Sequence, residues 1–266
     1  MNKFYIQNIF FLLSIFIYGN NKALASEWAL RKKTTSEQLS SLYPTPEEIY
    51  EKNKHLLCTN QEETKQATEL MNEALTHLEY HATDDNGYIK YQSPFKFTTD
   101  AHKKTHGDNT NILRIRLKLA NLNSYNNAIN KLWDPDTPKI FNKGFGKVAR
   151  VYDPNLVIIQ QRYEKDSKKP QKYFYALVKR AQISENVTII VTVSANINDG
   201  HPSTKEYKNT IIENANLFKI DIDSENDIKK GKLEKVFVNM TGYLIEKKTD
   251  HIYVTYVGSI QGHSAV

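Results

Sequence analysis

Two pairs of histidines stand four residues apart, His77 and His81 in HLEYH and His102 and His106 in HKKTH. That spacing sets two imidazoles on one side of a helical turn, where they could hold a metal ion. In the zinc-peptidase pattern a glutamate follows the first histidine directly and serves as base, whereas Glu79 is third in its motif and points off that face. The second pair falls in a lysine-rich stretch. Neither pair is expected to bind metal, and the rings are read as solvated or half-buried. Nucleophilic and nucleotide chemistry are no better supplied, since the chain has no G-x-S-x-G elbow, P-loop or G-x-G-x-x-G. Cys58 is the single cysteine, so no internal disulfide can form, and it is read as a small buried hydrophobe. The expectation is a protein that binds and does not catalyse, without cofactor or metal.

What remains is polar and aromatic side chains interleaved on strand-like runs, in a chain with 16 Tyr and 11 Phe. QKYFYALVKR sets Tyr173 and Tyr175 on one face with Leu177, and NLVIIQQRYE sets Val157, Ile159, Gln161 and Tyr163 on one face. Buried tyrosines need a partner for the hydroxyl, and a cluster of them beside a glutamine suits a pocket for a ligand with one polar group. A plain core with tyrosine tips reaching solvent is the other reading of the same residues.

The elements that would carry these residues follow from periodicity. Ala67, Leu70, Met71, Ala74, Leu75 and Leu78 recur at helical spacing behind Thr59-Asn60, which predicts a helix over about 61–81 that ends at Asp84-Asp85-Asn86-Gly87. TNILRIRLKLA alternates, with Ile115, Leu117 and Leu119 inward and Arg114, Arg116 and Lys118 toward solvent. SYNNAINKLWDPDTPKIFN reads as a short helix that Asp134-Pro135 breaks and restarts. Six strand-like runs then follow with short turns, an antiparallel meander interrupted by one insertion at 199–234, where KEYKNTIIENANLF predicts a short helix. On NVTIIVTVSANI, Val187, Ile189, Val191 and Val193 mark the buried side.

Residues 1–25 read as a signal peptide, with an apolar run from Ile9 to Tyr18 and Ala23-Leu24-Ala25 as cleavage site; a retained anchor is the alternative. Removing them takes Lys3 and Lys22 and no acid, which lowers the net charge from +6 to +4. A mildly basic surface suits transient contact with a membrane, and without an arginine stripe nucleic acid is not an expected partner. Residues 26–59 read as a linker or loosely attached arm, with 60–266 as the folded domain.

LWDPDTPKIFN, QKYFYALVKR and the terminal TGYLIEKKTDHIYVTYVGSIQGH resemble, in order, three motifs of START (StAR-related lipid-transfer) domains. More closely, NKHLLCTN, LMNEALTHLEYHAT, PNLVIIQQRY, SANIND and KEYKNTIIENANLFK are similar to the fam-a secreted proteins of rodent malaria parasites, a START-like family. The resemblance implies an α+β helix-grip fold, a curved antiparallel sheet around a lipid cavity. It also implies transfer of a phospholipid, chiefly phosphatidylcholine, by a monomer secreted to the parasitophorous vacuole or exported to the host cell. Carried over residue by residue, it implies lipid contacts from Trp133, Ile159, Gln161, Tyr163, Tyr173, Tyr175, Asn239, Thr241 and Tyr256, with Lys139 or Arg162 at the phosphate. Such domains continue past the last strand into a helix that grips the cavity, and here that carboxy-terminal helix is expected to be missing. Truncation, or coverage of the open face by the first helix, the arm or a membrane, are the readings of that difference. A degenerate surface or interaction protein that keeps the sheet without a cargo is the alternative function.

Overall fold

The computed structural model describes residues 42–91, 100–107, 110–120, 122–137, 144–165 and 167–261. Helix α1, Pro46–Lys52, starts in a full capping box: the Thr45 hydroxyl accepts from the Glu48 N–H, the Glu48 carboxylate accepts from the Thr45 N–H, and Pro46 needs no donor partner. Ile49 of α1 is buried, and the chain beyond it bonds to the sheet where the Cys58 N–H donates to Val151 O at 2.8 Å. The described part of the expected arm is therefore docked onto the domain. Its leader and the rest of the arm lie outside the described residues.

Helix α2, Gln61–Thr83, is capped by Asn60, whose side-chain oxygen accepts from the N–H groups of Glu62 and Glu63. Its apolar stripe, Ala67, Leu70, Met71, Ala74 and Leu78, is buried against the sheet. His81 ends that stripe, 2% exposed, with Nδ1 3.0 Å from the Tyr88 hydroxyl. The other pair, His102 and His106, lies in strand β2.

The strands are β1 Ile89–Lys90, β2 Asp100–His106, β3 Thr110–Leu119, β4 Gly144–Asp153, β5 Leu156–Tyr163, β6 Lys172–Ser184, β7 Val187–Val193, β8 Asn196–Asn198, β9 Lys219–Asp221, β10 Glu234–Lys235, β11 Phe237–Lys247 and β12 Ile252–Gln261. The main sheet runs β1-β2-β3-β12-β11-β7-β6-β5-β4, antiparallel throughout, with β10 added to β6 in parallel; β8 and β9 form a separate parallel pair. This is the expected meander, with the insertion passed over where β7 pairs β11. β12 runs to Gln261, and residues 262–266, where the expectation about a further helix falls, lie outside the described residues.

Both faces of the sheet are buried, each under its own apolar cluster. One face packs on α2 through Ile158, Tyr173, Leu177, Ile189, Val191 and Leu244. The other packs on α1 and on α3, Tyr125–Trp133, through Val157, Ala176, Val178, Ile190, Ile245 and Val254. Alternation sends consecutive residues of each strand to opposite clusters. Gly242 lies under α2: a Cβ there would stand 2.9 Å from Leu78 Cδ1 and 2.2 Å from Ile190 O.

Two local expectations need correction. Arg114 does not face solvent; it is 3% exposed, with its guanidinium 4.2 Å from the Tyr88 ring and bonded to Asp84 O and the Asp85 carboxylate. Alternation placed it on the α2 side, and that side is covered. The segment 202–212 is irregular and not helical, with only a 3-10 turn at Glu213–Asn216. Asn209 explains it: its buried side-chain oxygen accepts from the N–H groups of Ile211 and Ile212, and its own N–H donates to Asn216 Oδ1. Those side chains satisfy the backbone locally and displace the helical ladder. The expected restart of α3 after Asp134-Pro135 falls on residues 138–143, outside the described residues.

Candidate functional site

On the α3 face, β5, β6, β7, β11 and β12 leave an apolar groove beside the end of α3. Ile159, Gln161 and Tyr163 line it from β5, Phe174 from β6, and Ile190 and Thr192 from β7. Val238, Thr241 and Tyr243 come from β11, Tyr256 and Ile260 from β12, and Leu132 of α3 overhangs the set. Four rings stand in two pairs: Tyr163 and Phe174 at 6.1 Å between centroids, edge to face, and Tyr243 and Tyr256 at 5.5 Å, tilted. Gln161 is 2% exposed and supplies the amide; at Gly146 opposite it a Cβ would stand 2.7 Å from the backbone Pro135 O and 2.8 Å from Gln161 Oε1. None of these twelve lining residues carries a charge.

Of the residues expected at a ligand, Ile159, Gln161, Tyr163, Thr241 and Tyr256 are brought together here. Trp133 is buried in the same cluster, one residue beyond Leu132, and its indole N–H has no acceptor among the described residues. Tyr173 and Tyr175 do not belong to the groove. They point to the α2 face, where the Tyr173 hydroxyl donates to Asp199 at 2.9 Å and the Tyr175 hydroxyl accepts from Gln160 Nε2. Burial pushes both phenols well above their ordinary pKa, and the nearby carboxylates, Asp199 for Tyr173 and Glu225 for Tyr175, add to it. The reason is register. Gln161 is the cross-strand partner of Phe174 and Gln160 that of Tyr175, and cross-strand partners share a face.

Arg162 is excluded by the same rule, as the partner of Tyr173. Its guanidinium pairs with Asp227 at 2.5 and 3.0 Å and with Glu225 at 3.3 Å, away from the groove. Asn239 sits at a β-bulge between Val238 and Met240, where its side chain donates to Ser259 Oγ and accepts from Gln261 Nε2; it holds strands together and does not line the groove. Lys139 lies outside the described residues. Phe174 and Tyr243 were missed from the sequence, although each stands one or two positions from a residue that was named.

No family model matches the chain, and no curated protein matches it either. Among solved structures, human StAR-related lipid transfer protein 5 is similar at 9% identity, over 74% of this chain and 82% of that one, with a TM-score of 0.51. The fold is START-like. Human STARD10 is also similar, at 13% identity over 73% of this chain and 69% of that one, with a TM-score of 0.45.

In this START-like sheet the groove's volume is about 60 Å³. A water molecule takes roughly 30 Å³ and small-molecule pockets run to roughly 300–1,000 Å³. Where a lipid cavity was expected, the described residues leave only a lined groove with room for about two waters, closed down by Leu132 and the four rings. A lipid needs those side chains, or α3 itself, to move.

Proposed function

We propose that this START-like protein binds a single lipid in the α3-face groove and moves it between membranes, with phosphatidylcholine as cargo. The observation that carries the reading is the uncharged, ring-lined groove with one buried amide, Gln161, at the same place as Tyr163, Thr241 and Tyr256. A neighbour of the same fold is described as a lipid transfer protein. Apolar walls take acyl chains, and the Gln161 amide on the groove wall offers a donor for an ester or phosphate oxygen. A choline group donates no hydrogen bond and is attracted to ring faces, so the cage falls to Tyr163, Phe174, Tyr243 and Tyr256, in place of Tyr173 and Tyr175. We further propose, on the sequence motifs, that the chain is a fam-a protein, secreted as a monomer and active in the parasitophorous vacuole or host cell.

Loading is an opening step. With about 60 Å³ at rest, the groove must widen at a membrane surface, and α3 is the element in the way. That small volume also supports the second reading, a START-like interaction protein that no longer carries lipid. Mass spectrometry of solvent extracts of the purified protein, with a vesicle assay for transfer of labelled phosphatidylcholine, separates them. Stoichiometric co-purifying phospholipid and protein-dependent transfer are expected; neither bound lipid nor transfer leaves the interaction reading.

A further inference from the structure

The α3 face carries a second opening at the other end of α3, a polar cleft of about 430 Å³ between the amino-terminal turn of α3 and the hairpin ends of β6-β7 and β11-β12. Tyr125, Arg180, Gln182, Glu185, Thr188 and Lys247 border it. We propose that this cleft binds a phosphate-type anion, held by Arg180 and Lys247 and oriented by the Tyr125 and Thr188 hydroxyls.

Arg180 stands half-buried in the cleft wall. Its Nη1 donates to Asn155 Oδ1 at 3.1 Å, while its Nε is buried with no acceptor and Nη2 has none among the described residues. A half-buried guanidinium that leaves donors unmatched is costly unless an acceptor from outside completes it. Burial lowers its pKa, which is the same desolvation seen from the proton's side, with Glu47 of α1 and Tyr125 opposing it. The Lys247 ammonium is exposed and makes no ion pair among the described residues. Glu185, in the exposed β6-β7 turn, pairs with neither cation, so the cleft keeps its positive charge. The hydroxyls of Tyr125 and Thr188 already touch at 3.2 Å on the cleft wall, either able to turn a proton toward an oxyanion. A phosphate offers acceptors for a planar fork and for a point charge together. The cleft adjoins the groove along α3, Ile129 lining the one and Leu132 the other, but a free phosphate held by Arg180 and Lys247 would touch none of the groove residues, so this inference does not depend on lipid carriage.

Phosphate of two origins shares this chemistry, a soluble ion or monoester and a lipid headgroup. Titration of the full chain with inorganic phosphate at constant ionic strength, followed by amide shifts of Arg180, Thr188 and Lys247, addresses the first. Co-sedimentation with phosphatidylcholine vesicles, with and without phosphatidic acid, addresses the second. Saturable shifts or phosphatidate-dependent binding, weakened about tenfold in Arg180→Gln and less in Lys247→Ala, support the cleft and tell the sources apart. Lys247 is exposed, so its variant keeps the fold if Arg180→Gln does not. No response to either probe, or responses in both variants equal to wild type, overturns the proposal.

Discussion

The phenol of Tyr173 donates to the buried carboxylate of Asp199 across 2.9 Å, on the sheet face turned away from the groove. Asp199 also accepts from Lys235 Nζ at 3.0 Å and from the His201 N–H at 3.2 Å. Tyr173→Phe removes one of three donors and leaves the carboxylate paired. Urea denaturation is expected to show a loss of about 1–2 kcal/mol. Lipid transfer per folded molecule is expected to stay at the wild-type rate; a variant of wild-type stability that fails to transfer would return Tyr173 to the lipid path.

Gly242 lies on β11 beside β7 and under Leu78 of α2. A methyl there meets Ile190 O at 2.2 Å, which is backbone, and Leu78 Cδ1 at 2.9 Å, which can swing. Gly242→Ala is therefore expected to lose about 2–3 kcal/mol through forced strand separation. Adding Leu78→Ala relieves the softer contact only, so the double variant is expected to be less stable than either single one. A double variant restored to wild-type urea midpoint would mean that the strands part easily and the helix set the limit.

Acid acts on this fold in two windows. Burial holds the His81 imidazole down to about 4 from 6.5, so the unfolded chain binds the extra proton first and stability falls as pH drops from about 6.5 to about 4. Glu225 behaves differently: burial alone would raise its carboxyl, but hydrogen bonds from Lys147 and Gln160 hold it at about 2 against an ordinary 4.5. Its contribution is whole above about 4.5 and is lost as pH falls toward about 2. Urea midpoints taken from pH 7 downward should slope in both windows, His81→Gln flattening the upper one and Glu225→Gln the lower. A wild-type midpoint constant from neutrality down to about pH 4.5 contradicts the His81 assignment, and one that stays flat below that contradicts the Glu225 assignment.

The sheet, its strand order from β4 to β7 and the long helix were legible because alternation and helical spacing are local properties of the chain. The cap at Asn60 and the face shared by Val157, Ile159, Gln161 and Tyr163 were legible for the same reason. What periodicity cannot give is which of two buried faces holds the groove. Both faces of β6 are apolar, and only the pairing of Gln161 with Phe174 decides between Phe174 and the tyrosines on either side. Arg162 was misread with them, since a cation beside a named glutamine looks available until Asp227 and Glu225 arrive from the start of a short helix, Asn226–Lys229, some sixty-five residues away. Asn209 defeated the helix expected in the insertion through side-chain bonds that no spacing rule registers.

Thr192 offers the sharpest test of the groove itself. It is half-buried on the groove wall, across from Thr241 on β11, and its neighbours Val191 and Val193 point to the α2 side. Thr192→Phe puts a ring into about 60 Å³ of space that a lipid must enlarge, and leaves α2, the bulge at Asn239 and the Asp199 cluster untouched. Overpacking of this kind is expected to lower stability by about 1–3 kcal/mol. Bound lipid and transfer should fall by roughly tenfold or more, equivalent to about 1.4 kcal/mol of lost binding. Leu132→Ala works in the other direction: it trims the side chain that overhangs the groove, raises lipid uptake per folded molecule and lowers stability by about 2–5 kcal/mol. Because one variant narrows and the other widens, instability alone cannot produce opposite changes in uptake. Transfer by folded Thr192→Phe at the wild-type rate would place the cargo elsewhere on the molecule.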